Sequence, residues 1–170
     1  MRLIILMMLL GALSAQAQQP FLSEFYDNYK QQENVTDVKL QGWLLKLAAD
    51  EEEQAKGLLD KITHLRVLLM EEGNLVSPGA YRQLLRELGQ NQFEELLLVK
   101  EDGSDIGFYI REKGEHITDA LLLVNGADHF VLLSLEGLLK FSDLNDLNVD
   151  VEGADHFKRL PEERDSIPRA

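Results

Sequence analysis

The sequence predicts an α+β domain in two layers, with helices on one face of a mostly antiparallel sheet of about six strands. Segments of helical periodicity fill the first half, and short apolar segments separated by turns fill the second. Asp102-Gly103 and Asn125-Gly126 are typical hairpin turns. The segment between them alternates, with Phe108 expected to face the helices and Tyr109 to face solvent. Such alternation favours an antiparallel sheet with one solvated face.

The first residues have the order of a secretory signal peptide. Arg2 gives a basic start, Leu3 to Leu13 is almost wholly apolar, and Ala15 and Ala17 place small residues two apart before a cleavage point. The apolar segment is too short to span a bilayer. We therefore expect an exported protein, periplasmic or secreted, that is cleaved after Ala17.

The first half of the domain is predicted from apolar spacing and caps. Phe21, Phe25 and Tyr29 recur every four residues, which places one apolar stripe on a helix. Asp50 and Glu53 form a capping signature for a later helix. The predicted elements are helices over 20–32, 42–48 and 50–62 and strands over 35–40 and 64–70. A right-handed helical crossover should join these two strands in parallel.

The second half begins with a clearly bounded helix, in which Ser77 is the N-cap, Pro78 is the first helical residue and Gly89 is the C-terminal stop. Strands are predicted over 93–100, 106–112, 116–124 and 130–135, followed by a short helix over 142–147. The domain organisation is then a signal peptide over 1–17, one α+β domain over 18–160 and a flexible charged tail over 161–170.

Composition excludes several classes of function. The formal net charge is −13, which disfavours nucleic acid and anionic membrane surfaces as partners. The chain has no cysteine, so disulfides, thiolate metal sites and a cysteine nucleophile are excluded. Lipid attachment through a cysteine is excluded as well. We expect an unidentified protein partner, no cofactor and no stable membrane anchor after cleavage, and the oligomeric state stays open.

No metal-binding residues are predicted. The spacing of the four histidines does not match a zinc motif. The oxygen-rich stretch from Asp143 to Glu152 fails the calcium-loop pattern, because glycine and glutamate do not fall at the required positions. The histidines are His64, His116, His129 and His156.

No catalytic residues are predicted either. Ser134 is not in a Gly-x-Ser-x-Gly context, and Ser104 is explained as a turn residue. Asp128-His129 suggests an acid that orients a base, but adjacent residues in a strand point to opposite faces and should not bond easily. The segment from Val124 to Phe130 recurs with six of seven residues matched at 151–157, which we interpret as two similar turns.

Two places are considered for binding. Trp43, the only tryptophan, is expected to pack in the core beside neighbouring leucines. Tyr109 and Arg111, on the predicted open face of the sheet, form the candidate interaction surface because exposed tyrosine and arginine are typical interface anchors.

The mature chain resembles a family of small exported bacterial proteins known only as a domain of unknown function. The resemblance implies an exported α+β domain linked to envelope signalling, and it supplies no catalytic residues. Many members resemble lipoproteins, from which this chain departs by lacking cysteine. The resemblance spans Phe21 to Leu160 and rests on Phe25 to Tyr29, Val35 to Val38, Trp43, Phe93 to Leu97, Phe108 to Ile110 and Leu133 to Gly137.

The sequence therefore favours a non-enzymatic interaction or binding module. One alternative is a small hydrolase that uses scattered carboxylates with His116 or His129. Another alternative is a carrier of a small apolar ligand held between helices and sheet. A deep cleft with a buried acid or histidine would favour these alternatives, and a flat exposed sheet would favour the first hypothesis.

Overall fold

The computed structural model describes residues 20–48, 57–101 and 103–145. Six strands form one sheet in the order β1-β2-β6-β5-β4-β3, and all described neighbours pair antiparallel. The predicted α+β class with a six-stranded antiparallel sheet is confirmed. The elements are α1 (Pro20–Tyr29), β1 (Val35–Gln41), α2 (Gly42–Ala48), β2 (Ile62–Met70), α3 (Pro78–Gln90), β3 (Glu94–Glu101), β4 (Ser104–Lys113), β5 (His116–Asn125), β6 (Phe130–Leu139) and α4 (Phe141–Asn145).

The parallel crossover between the first two strands was wrong. Val35 lies opposite Met70 and Gln41 lies opposite His64, so β1 and β2 are antiparallel. The reason lies in α2, which starts directly after β1 and keeps the chain at one end of the sheet. A side chain at Gly42 would collide with the carbonyl group of Ile62, so only glycine allows this close approach.

The connection from α2 to β2 differs from the prediction in one further respect. Ile62 was expected to end a helix, but it begins β2 and is buried there. Leu58, in a helical turn over 57–59, is buried. The capping pair Asp50 and Glu53 lies outside the described residues.

Helices α1 and α3 pack on one face of the sheet, which we call the helix-covered face. Apolar side chains of α1 and α3 meet a strand surface that includes Tyr109 and Phe130. Together they form one buried cluster. Its helical members are Leu22, Phe25, Tyr26, Tyr81, Leu84 and Leu88, and its strand members include Leu68, Met70, Leu121, Leu123 and Leu132.

The start of α3 is as predicted, and its end is not. Ser77 Oγ accepts a hydrogen bond from the Ala80 backbone N–H at 3.2 Å, which is the expected N-cap. Gly89 was expected to stop the helix, but the helix includes it and Asn91 is the C-cap. The left-handed backbone falls instead on Gln92, whose φ is 65°.

The other side of the sheet, which we call the second face, is aliphatic and aromatic across all six strands. Outside the strands, the described side chains in this cluster are Leu45 of α2, Leu58, Leu59 and Phe141 of α4. The helices are therefore not confined to one face. The strand members include Leu65, Val67, Val99, Ile106, Phe108, Ile110, Leu122, Val124, Val131, Leu133 and Leu135.

Several predictions lie outside the described residues. These are the signal peptide over 1–17 with Ala15 and Ala17, the tail over 161–170, and the second copy of the turn motif at 151–157. The predicted last helix is present from Phe141 to Asn145, and its remainder also lies outside. No helix in the described part of the chain has the length and apolar character needed to cross a membrane.

Candidate functional sites

Four ionisable side chains form a row across adjacent strands on the helix-covered face. His64, Glu136, Asp119 and Arg111 occupy matching positions on β2, β6, β5 and β4, and we call them the charged row. His64 Nδ1 lies 3.4 Å from Glu136 Oε2. Arg111 donates to Asp119 Oδ2 from Nη2 at 2.6 Å and from Nε at 2.9 Å. The row therefore holds two carboxylates side by side between two basic groups.

Folding raises the pKa of Glu136, one of the two carboxyl groups in this row. Partial burial raises the pKa of Glu136, the neighbouring His64 lowers it, and Asp119 raises it again. Asp119 is buried but is satisfied by Arg111 and by Thr118, whose Oγ1 donates at 2.7 Å. Within the row, Arg111 and Asp119 form an ion pair, and Glu136 holds its proton to higher pH than an exposed glutamate.

A second polar network lies beneath α1. Arg66 is buried and binds Asp37 through two hydrogen bonds, from Nε at 2.9 Å and from Nη2 at 2.8 Å. Its guanidinium carbon lies 3.9 Å from the ring centroid of Tyr26, and the Tyr26 hydroxyl is 2.8 Å from Ser134 Oγ. The bonds to Asp37 raise the pKa of Arg66, and burial raises the pKa of Tyr26. These groups satisfy one another, so the network fixes α1 on the sheet.

Tyr109 was expected from the sequence to face solvent, but it is buried. It is 5 % exposed and packs in the same cluster as α1 and α3. Its ring lies over Gly107, where a Cβ would come within 2.6 Å of Cε2, and its hydroxyl donates to Glu95 Oε2 at 3.2 Å. Burial raises the pKa of Tyr109. The prediction was wrong because both faces of β4 are apolar and buried, and α1 and α3 cover the one that carries Tyr109.

Arg111 is only partly exposed. Besides its bonds to Asp119, its guanidinium carbon lies 5.3 Å from the ring centroid of Phe93. The geometry is compatible with a weak cation–π contact. Tyr109 and Arg111 therefore do not form an open contact surface in the folded domain.

Ser104, His129 and Asp128 meet at the end of the sheet where β4 and β6 begin. His129 Nδ1 is 3.0 Å from Asp128 Oδ1, and His129 Nε2 is 3.4 Å from Ser104 Oγ. The ring lies across Gly126, where a Cβ would be 2.7 Å from either ring nitrogen. We call these three side chains the Ser104–His129–Asp128 array.

The expectation that Asp128 and His129 should not bond easily was wrong. They lie in the turn before β6, which begins at Phe130, so strand alternation does not apply to them. The hydrogen bond with His129 lowers the pKa of Asp128. Two hydrogen bonds from the segment between β2 and α3 hold this turn. The Gly73 backbone N–H donates to the Asp128 carbonyl at 2.7 Å, and Asn74 Nδ2 donates to the Gly126 carbonyl at 2.7 Å.

Trp43 lies on the surface and not in the core. It is 59 % exposed, and Leu44 beside it is also exposed. In the first four residues of α2, Gly42 and Leu45 are the buried positions, three apart on one side of the helix. Trp43 and Leu44 therefore point away from the sheet, and we call them the α2 patch.

The remaining candidates stay apart. His116 begins β5, whereas His129 lies just before β6 at the opposite end of that hairpin. Within the described ranges, no group of three or more histidine, aspartate or glutamate residues could hold a metal ion. His156 lies outside these ranges.

The comparisons with known proteins give a family for the chain. The model of the family described as "Domain of unknown function (DUF4252)" matches residues 29–147, which is more than half of the sequence. The chain belongs to this family. The match covers all six strands, the charged row, the Ser104–His129–Asp128 array and the α2 patch, whereas Tyr26 of the polar network lies before it. Neither the curated proteins nor the solved structures gave a match.

Proposed function

We propose that this member of the DUF4252 family is an exported interaction module of the cell envelope that binds a partner protein through the α2 patch. The observation that carries the proposal is the exposure of Trp43, the largest apolar side chain of the protein, on a helix whose other side packs on the sheet. Exposed tryptophan is strongly enriched among residues that dominate binding energy in protein interfaces.

Charge supports a protein as the partner. The net charge of −13 repels nucleic acid and anionic lipid, because both need basic patches on the protein that binds them. An indole side chain buries a large apolar area with few rotatable bonds, so it suits an apolar pocket on another protein. The signal-peptide pattern around Ala15 and Ala17 supports export, which places this encounter in the periplasm or outside the cell.

A carrier of a small apolar ligand is less well supported. Such a ligand would lie between the helices and the sheet, where Tyr26, Leu123 and Leu132 are each 0 % exposed. The ligand would have to displace the atoms that already cover these side chains. The apolar burial lost by the displaced side chains would offset the burial gained by the ligand. Ligand binding would therefore gain little free energy.

The test is site-specific photo-crosslinking from the α2 patch in cells of the source bacterium. A photoreactive phenylalanine analogue replaces Trp43 in one strain and Leu98 in the matched control. Leu98 is 45 % exposed on β3, the edge strand at the far side of the sheet. The mature chain recovered outside the cytoplasm should begin at Gln18, and a protein adduct should form from position 43 and not from position 98.

The adduct is then identified by mass spectrometry and the partner is purified. Trp43→Ala should weaken its binding to this partner at least about tenfold, and Leu98→Ala should leave the affinity unchanged. Identical adducts from both positions, or equal affinity of Trp43→Ala and the unaltered protein, would show that the α2 patch is not the interface.

A further inference from the structure

The Ser104–His129–Asp128 array has the order of contacts that a serine nucleophile needs: hydroxyl, imidazole and carboxylate in series. Sequence patterns did not reveal it, since Ser104 and His129 are 25 residues apart and meet only because β4, β5 and β6 are neighbours. Gly126, directly after β5, lies beneath the ring, and its missing side chain lets the imidazole of His129 reach Ser104 at the start of β4.

The hydrogen bonds determine which nitrogen of His129 carries the proton in the neutral ring. A carboxylate only accepts hydrogen bonds, so Nδ1, at 3.0 Å from Asp128 Oδ1, must be the donor. Nε2 then presents its lone pair to the Ser104 hydroxyl at 3.4 Å. This is the tautomer in which an imidazole can take a proton from serine.

The loop that carries Asp128 and His129 is held in place. Its own backbone closes through the Gly126 N–H, which donates to the His129 carbonyl at 3.0 Å. Asn74 donates to the Gly126 carbonyl and to Asn125 Oδ1, at 2.7 and 2.9 Å, and so ties the loop to the segment before α3. A base fixed in this way keeps its geometry with little entropic cost at the moment of reaction.

We propose that the Ser104–His129–Asp128 array is an esterase site that hydrolyses small neutral or cationic esters by way of an acyl-serine intermediate. The substrate class follows from the surroundings. Two acids lie near Ser104, with Glu101 opposite it in the hairpin and Asp128 88 % exposed to solvent, whereas the neighbouring Asp105 is paired with Lys100 at 3.1 Å. An anionic ester would be repelled there.

The reaction balances with water as the only co-reactant. Ser104 Oγ bonds to the ester carbonyl carbon while its proton passes to His129 Nε2. The tetrahedral intermediate collapses, the bond to the alcohol oxygen breaks, and the proton leaves with the alcohol. Water then attacks the acyl-serine with His129 as the base, which releases the acid and returns the proton to Ser104.

Asp128 is a positioning residue in this scheme. Its carboxylate orients the imidazole and does not contact the ester. Because its side chain lies in solvent, the electrostatic stabilisation of the imidazolium is screened. Asp128→Asn should therefore lower kcat about tenfold and leave KM unchanged, which is less than the loss from a missing nucleophile.

The experiment uses the purified mature protein and two probes. A fluorophosphonate should label Ser104, as mapped by peptide mass spectrometry, and p-nitrophenyl acetate should be hydrolysed faster than in buffer. Ser104→Ala and His129→Gln should each lower the enzymatic rate by about 100-fold or more. Ser142→Ala is the matched control, because Ser142 is an exposed serine on α4, and it should change neither signal.

The labelling of the unaltered protein keeps the proposal testable even if a variant fails to fold. Absence of fluorophosphonate on Ser104 in the folded wild-type protein would overturn it. Hydrolysis that is equal in Ser104→Ala and wild type, with matching circular dichroism, would overturn it too. This test is independent of the α2 patch, so either proposal can fail alone.

Discussion

The two faces of the sheet are built from different chemistry. The helix-covered face combines apolar side chains with Arg66, Ser134, Asp119 and Tyr109, each with a defined hydrogen-bond partner. Apart from Ser104, which starts β4 in the same alternation as Ile106 and Phe108, the buried strand side chains of the second face are aliphatic and aromatic. Apolar burial is non-directional, whereas buried polar groups require specific partners. The hydrogen bonds of the helix-covered face therefore determine where α1 lies, whereas the second face contributes mainly the burial of apolar area.

The largest expected effect comes from truncating one side chain on each face of β4. Phe108 and Tyr109 point to opposite faces and both are buried. Phe108→Ala and Tyr109→Ala should each lower the free energy of unfolding by about 3–5 kcal/mol, measured by urea denaturation. Tyr109→Phe is the control and should lose about 1 kcal/mol, the contribution of its bond to Glu95. A cost below about 1 kcal/mol for Tyr109→Ala would mean that its face is solvated after all.

A smaller effect should follow from breaking the polar network of the helix-covered face. Arg66→Ala leaves the Asp37 carboxylate without its bidentate partner and should cost about 3 kcal/mol. Replacing both partners, as Arg66→Met with Asp37→Leu, should cost less than the single change because no charge is left unpaired. Denaturation of Arg66→Met, of Asp37→Leu and of the double variant measures this coupling. Purely additive losses would contradict it.

The smallest expected effect concerns the charged row. Because folding raises the pKa of Glu136 above its ordinary value of 4.5, the folded state binds that proton more tightly than the unfolded state does. Glu136 therefore costs no stability well below pH 4.5 and progressively more as the pH rises through the raised value. Glu136→Gln should match wild type at low pH and exceed it at neutral pH. Parallel stability curves for the two proteins would contradict this direction.

The sequence could predict which side chains of β4 share a face of the sheet. It could not predict which face α1 and α3 cover. Alternation along β4 correctly separates Phe108 from Tyr109. Both faces of the sheet are apolar there, however, and β5 is buried at every position from Asp119 to Val124. A strand buried on both sides carries no alternation that reveals its orientation. That is why the exposure of Tyr109 was predicted wrongly.

Local sequence patterns predicted the structure correctly where one short-range interaction determines it. Ser77 caps α3 through its own side chain, which is a property of a few adjacent residues. Trp43 was misplaced because a helix as short as α2 buries only one side, and the apolar run around it contains more leucines than that side can accept. The Ser104–His129 contact depends on the sheet order, which no local pattern encodes.

The position of Tyr26 has a consequence for how the chain folds. The described strands form two contiguous units, the β1–β2 hairpin and the β3–β6 meander, joined only where β2 pairs with β6. Tyr26 lies across this junction, with its ring against Arg66 of β2 and its hydroxyl on Ser134 of β6. The meander consists of local contacts, whereas the junction must close a long loop. The junction should therefore form last, and α1 fastens it by contacting both strands at once.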